Sequence, residues 1–415
     1  MKRINHFRLI SSLTPFLLSA TLAGAENWPG WRGPRGDGTS LEREVPTRWS
    51  STENVVWRTA VPGEGHSSPV VWNQRVFLTT GLPESQGRVL LCLDRATGAV
   101  RWQKTVLQAP LEAKNGENSY ASATPVTDGE KVYVTFLDRE EVVVAAYDFA
   151  GQELWVVRPG KFKSQWGFCH TPVLFEDKVL VGCYSKGENF VVALSRIDGH
   201  PLWKTPGQNP TQSYSAPLIQ EMAGRMQMIL PGNKAVTSYD PRTGRTLWVV
   251  DGPSDDCVIT PVYSQKAHLL LSCSSWPNKV LLAIQPDGTG NVTATKVAWK
   301  TPDGAPYVPS PIAVGDWFLT SAFNGKAAYC YEAATGKVLW KEPLGLHHAS
   351  PVTANGLVYF LNDEGVMHVV RAGEKYELVA RNELGEKTYA SPALSQGQIF
   401  LRSFKHLYCL GKAAK

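Results

Sequence analysis

The chain has 415 residues, with 43% hydrophobic and 19% charged side chains, 36 glycines, 28 prolines and 14 tryptophans. That balance excludes a disordered or collagen-like chain, and the glycine and proline load calls for many turns and hence many short strands. Net charge is +5, but three of those positive charges are Lys2, Arg3 and Arg8 at the start; the remaining +2 gives no electrostatic case for a nucleic-acid partner.

The first 25 residues read as a secretory signal peptide: a basic start, an apolar run from Leu9 to Leu22, and small residues Ala23, Gly24 and Ala25 at the expected cut. The apolar run is broken by Ser11, Ser12, Thr14, Pro15 and Ser19 and is shorter than the roughly 20 residues a membrane span needs. No cysteine follows the cut, so no lipid anchor is expected. The expectation is a protein exported to the periplasm or secreted after cleavage behind Ala25, with no membrane span. Residues 26–50 form an extension carrying WPGWRGP, in which Trp28 and Trp31 read as packing anchors rather than ligand contacts. Residues 51–415 form the remaining unit.

That unit is a repeat. Ser, Thr or Ala followed by Pro and an apolar residue occurs at Pro69, Pro125, Pro172, Pro217, Pro261, Pro311, Pro351 and Pro392, a mean spacing near 46 residues. After each proline come a short strand, a turn such as ANG at 354–356, a second apolar strand such as LVYFL at 357–361, a polar loop and a third strand. A nine-residue phrase then ends on tryptophan: DRATGAVRW at Trp102, SRIDGHPLW at Trp203, DPRTGRTLW at Trp248, EAATGKVLW at Trp340, and the shorter DFAGQELW at Trp155. Four strands at this period make one blade of a β-propeller. The acid accepts turn amides, Gly supplies φ > 0, and Trp covers the seam between blades.

The fifth copy stretches its turn before Trp299, and the seventh has Leu378, Val379 and Ala380 in place of Trp, which predicts the most weakly packed seam there. The eighth copy ends at Leu410 without a fourth strand, while Asn54-VVWRT, with Trp57, precedes the first proline. Pairing that N-terminal strand with the last three closes an all-β, eight-bladed β-propeller without an exposed edge. Cys92, Cys330 and Cys409 share a repeat position held elsewhere by Ala146, Ala193, Ser238 and Ala283, so they read as small buried residues and not as a disulfide framework. Cys169 and Cys257 precede repeat starts.

These phrases resemble the PQQ-like β-propeller repeat, A-x-D-x-x-T-G-x-x-x-W, from about Trp49 to Leu410, and WPGWRGP resembles the start of exported propellers in that group. The resemblance implies two functions. One is that of BamB-like exported propellers, which recognise protein or peptide partners in envelope or outer-membrane protein assembly. The other is that of quinoprotein dehydrogenases, which hold pyrroloquinoline quinone and calcium beside an adjacent Cys-Cys disulfide; no Cys-Cys pair occurs in this sequence.

In a propeller, the segments entering each innermost strand share one face with the loops between strands two and three, opposite the Thr-Gly turns. The entering segments carry His66, Tyr120, Trp166, His170, Tyr214, Asp256, Tyr307, His347, His348 and Tyr389. These are the candidate binding residues for a protein, peptide or small ligand, although polar groups at an inner rim also bond neighbouring blades. Loop tips such as Asn233-Lys234 and Asn362-Asp363-Glu364-Gly365 share that face but are mostly turn chemistry. His66, His170 and His347/His348 have no spacing that supports a metal site, and Cys169 and His170, adjacent on extended backbone, point to opposite sides. No phosphate loop, zinc pattern, nucleophile elbow or dinucleotide fingerprint is present. The expectation is a monomeric binding module with no metal and no cofactor; the alternative is a quinone- or metal-dependent oxidoreductase.

Overall fold

The computed structural model describes residues 25–412 apart from 210, 253, 254, 275, 323 and 324. Residues 1–24 of the expected leader and the tip residue Asn324 lie outside the described residues. Eight sheets, each with an antiparallel four-stranded core, form an eight-bladed propeller, and the helix at Thr293–Lys296 is only four residues long. In blade 1 the strands run Val70–Trp72, Arg75–Leu82, Gly87–Asp94 and Val100–Gln108 from the centre outward. Blade 8 is closed as expected: Val55–Ala60 pairs with His406–Gly411, outside Gln398–Arg402 and Ala393–Ser395.

At several seams the tryptophan couples one blade to the next. The indole N–H of Trp57 donates to Arg95 O at 2.7 Å, that of Trp102 to Phe149 O at 3.0 Å, and that of Trp299 to Ala333 O at 2.9 Å. Each acceptor is the residue just after the acid in the following blade's turn. The same ring lies on that turn's glycine: a Cβ on Gly98 would sit 2.5 Å from Trp57, and one on Gly336 2.6 Å from Trp299. These glycines also hold φ of +72° and +74°, so glycine is required twice over. Within the turn, Asp94 Oδ1 accepts the Thr97 N–H at 2.9 Å, as the sequence predicts.

The small repeat position is the Trp's cross-strand partner. Trp102 faces Cys92, Trp155 Ala146, Trp203 Ala193, Trp248 Ser238, Trp299 Ala283, Trp340 Cys330 and Trp57 Cys409. A large ring and a small side chain thus share one site, which is why cysteine recurs without pairing; all seven cysteines are free. Blade 7 reverses the volumes, with Ala380 facing Val369.

At the seventh seam the extension adds contacts of its own. Trp49, 4% exposed, shares a buried cluster with Ala380 and Leu410, and Asn382 clasps its segment by accepting the Trp49 N–H at 2.9 Å and donating to Thr47 O at 3.0 Å. The missing tryptophan is supplied from outside the repeat. The stretched fifth turn has a use as well: Gly290–Asn291 adds a parallel strand beside Thr246–Asp251, and Val292 joins the cluster around Trp248.

The Ser/Thr-Pro phrase forms a girdle around the centre. The backbone N–H of Ser68 donates to Thr124 Oγ1, Thr124 to Thr171, Thr260 to Ser310, Ser310 to Ser350 and Ser350 to Ser391, at 2.8–3.1 Å. A hydroxyl before the proline therefore satisfies a buried amide of the preceding blade. Blade 4 has Ala216 at this position, and Thr260 Oγ1 instead accepts the indole N–H of Trp31 at 2.9 Å.

Candidate functional site

Trp31 reaches that position because the extension enters the channel from the Thr-Gly-turn face. Trp28 pairs with Val71 by two 2.8 Å backbone bonds, and Thr39–Ser40 runs parallel to Val352–Ala354 of blade 7. Between them Pro29 O accepts from Thr127 N, Asp37 Oδ2 from Gln220 Nε2, and Arg32 donates to Pro311 O at 2.6 Å and Pro351 O at 3.4 Å. With Ser395 Oγ bonded to Glu26 O, the extension touches every blade but the third through these bonds. The Arg32 guanidinium is fully buried on carbonyls, and that burial lowers its pKa to about 10. The segment is a plug that converts the channel into a cup open on the loop face.

The cup is a cavity of ≈ 240 Å³. Trp31 lies among its lining residues, so reading Trp31 as packing alone is corrected; Trp28, 0% exposed, is an anchor as expected. Of the ten candidates, His66, Trp166, Tyr214, Asp256, Tyr307, His348 and Tyr389 line the cavity. Tyr120, His170 and His347 lie outside that lining. Extended backbone alternates sides, so His348 faces the cup while His347 is fully buried, and Cys169 faces it while His170 packs between Phe162 and Phe168 at 4.4 and 5.1 Å. Tyr120 sits outside under Arg88 and Lys114, its ring centroid 5.7 and 4.8 Å from them.

Sequence reasoning missed Asn115, Glu117 and Asn118 of the cavity wall. They lie on the long connection between blades 1 and 2, which carries no repeat signal. Arg88, fully buried, fixes the connection by donating to Ala109 O at 2.7 Å and pairing with Glu112. Asn118 Nδ2 then donates to Trp166 O at 2.7 Å, tying this wall to the next.

The aromatic wall is ordered. Tyr389 stacks on His348 with centroids 3.8 Å apart and meets His66 edge-on at 5.0 Å. Asp363 orients His348, accepting its backbone N–H at 2.8 Å and lying 2.9 Å from Nδ1; Nε2 is 3.9 Å from Glu117. Burial, reinforced by the charge of Arg402, lowers the His66 pKa to about 3 and keeps that ring neutral. Burial also raises the phenols of Tyr307 and Tyr389, which remain hydrogen-bond donors, and raises Asp256 against an opposing pull from Lys186. Burial pushes the thiol of Cys169 up to about 12, which favours its protonated form. The cup presents flat aromatic faces, phenol and amide donors, and two carboxylates, Asp256 and Glu117.

This set does not fit a quinone held with calcium. Calcium takes six to eight oxygen ligands. Among the described residues no group of three or more His, Cys, Asp or Glu converges on one point, and the disulfide that accompanies the quinone in that group has no counterpart among seven free cysteines.

A family model described as "Outer membrane protein assembly factor BamB" matches residues 47–138 and 139–375. A search of curated proteins returned no match. Among solved structures, BamB from Moraxella catarrhalis is similar with a TM-score of 0.61 at 14% identity, over 86% of this chain and 99% of that one. A europium-containing methanol dehydrogenase is similar with a TM-score of 0.57 at 12% identity, over 93% and 98%. The quinohemoprotein alcohol dehydrogenase of Comamonas testosteroni gives 0.52 at 12% identity, over 95% and 82%. At these identities the structural likeness speaks to fold alone.

Proposed function

Because the chain belongs to the BamB family by the match across residues 47–375, we propose that it is an exported binding module of the cell envelope, acting as a monomer. Its cup receives a small ligand or the tip of a protein or peptide partner. The observation that carries this reading is the blind aromatic cup, floored by Trp31 and walled by Trp166, Tyr307 and Tyr389, with Asp256, Glu117 and His348 at its sides. A site of this kind recognises a group with one apolar face and a hydrogen-bonding edge. At ≈ 240 Å³ it lies below the roughly 300–1,000 Å³ of drug-sized pockets, so the occupant is a compact moiety.

The aromatic–acid cup favours binding, while nothing in its donor set favours quinone chemistry. The test compares the processed protein with a Tyr307→Ala/Tyr389→Ala variant. Both are heated in fractions of envelope small molecules and peptides. A ligand at 100 times its Kd stabilises by about 2.7 kcal/mol. A fraction that raises the wild-type midpoint is expected to leave the variant unmoved; equal shifts in both proteins place binding elsewhere.

A further inference from the structure

Glu42 is a buried carboxylate with no cation in direct contact among its hydrogen-bond partners. It is 3% exposed, and burial raises its pKa. Its oxygens accept the backbone N–H groups of Gln396 and Gly397 in blade 8, and Oε1 lies 3.2 Å from the backbone nitrogen of Glu26. Arg95 acts on it only through space, its guanidinium being bonded to Ser395 O and Gln398 Oε1. The side chain of Glu26 is turned away, in a bidentate pair with Arg35 at 2.7 and 2.9 Å. What faces Glu42 is the main-chain nitrogen, and the expected leader cut falls at the bond that nitrogen makes to Ala25. The peptide N–H groups and the distant Arg95 offset part of its burial, and none of its direct hydrogen bonds comes from a cation.

We propose that export processing completes this fold: cleavage after Ala25 gives Glu26 an α-ammonium that pairs with buried Glu42, and this clamp seats the plug whose Trp31 floors the cup. The step is hydrolysis of the Ala25–Glu26 peptide bond by a leader-removing endopeptidase. Water supplies the oxygen of the Ala25 carboxylate, and its protons go to the freed amine. The new charge arises 3.2 Å from Oε1 without movement of the chain, and a charge-assisted bond replaces a neutral one. Glu42 bridges the start of the plug and the Gln396–Gly397 turn, so the clamp ties the first mature residue to blade 8. The inference stands apart from the binding reading, since its readouts need no ligand.

The mass of the exported protein is expected to show Glu26 as its first residue; another N-terminus overturns the proposal. The α-amino group, labelled by reductive dimethylation with carbon-13, which keeps its charge, is then titrated by NMR. Its pKa is expected at least about one unit above the ordinary 7.7–8.0, a tenfold shift in proton affinity, and near the ordinary range in Glu42→Gln. A raised folded-state pKa adds stability that is full below the unfolded value and lost as pH rises through the folded one. Protection of the plug against trypsin is therefore expected to fall above about pH 8. Keeping Ala25 as the first residue moves the charge away, and is expected to speed trypsin cleavage at Arg32 or Arg35 several-fold in wild type and not in Glu42→Gln. An ordinary α-amino pKa in the wild type, or equal acceleration in both backgrounds, overturns the clamp. The comparison of wild type with the Ala25-retaining chain decides the matter even if Glu42→Gln does not fold.

Discussion

At the scale of single residues, one glycine of the repeat phrase and one outside it separate two causes. Gly336 and Gly385 have nearly the same φ, +74° and +75°, but a Cβ on Gly336 meets Trp299 at 2.6 Å while one on Gly385 meets nothing within 4 Å. Gly385→Ala is expected to cost about 1–2 kcal/mol, the backbone term of the left-handed region. Gly336→Ala is expected to add about 1–3 kcal/mol of overpacking, read from denaturant midpoints at equal m-values. Equal losses would show that the glycine serves only the turn. The buried histidines offer a pH test. Burial lowers the pKa of His170 to about 3 and of His347 to about 4. The unfolded chain protonates both near 6.5 while the folded one stays neutral, so stability is expected to fall as pH drops from about 6.5 towards 4, with a slope approaching two protons from this pair. In His170→Phe the slope should lose about one proton; an unchanged slope would contradict the assigned neutrality of that ring.

At the scale of elements, the plug is held to the ring by Arg32, whose guanidinium donates to carbonyls of Pro311, Pro351 and Asp37. Arg32→Met keeps much of the volume but strips these carbonyls of their donors. It is expected to destabilise by about 2–4 kcal/mol, the cost of unsatisfied buried groups, and to increase proteolysis within residues 26–42 before any other region. Loss of stability without that local sensitivity would mean that Arg32 serves the ring and not the plug. Repeat coupling can be probed at the Trp340–Cys330 pair: Cys330→Ala should be tolerated and Cys330→Leu should cost about 1–3 kcal/mol, measured by chemical denaturation.

The same scale shows what was legible beforehand. The blades, their number and the closure by the Trp57 strand were readable because each repeats one pattern of proline, turn and tryptophan. The cup was half readable. Alternation along extended backbone leaves only one of His347 and His348 facing inward, and the repeat does not say which. Asn115, Glu117 and Asn118 sit on a connection without a pattern, and Trp31 precedes the ring, so its meeting with Thr260 joins positions 229 apart in sequence. Trp49 shows the reverse case, a break in the seventh repeat that only the distant extension makes good.

For the whole molecule, the plug gives the ring a direction. The Thr-Gly-turn face is sealed by residues 26–42, while the loop face opens onto Trp166, Tyr307, Tyr389 and His348. Binding on the open face, with the sealed face left for structure, is the central claim. The most direct measurement is amide hydrogen exchange of the processed protein with and without a fraction that raises its unfolding midpoint. Protection is expected in segments 115–122, 166–171, 256–260, 307–310, 348–350 and 389–391, which converge on the cup. Protection confined to the Thr-Gly turns or to the outer strands would contradict it.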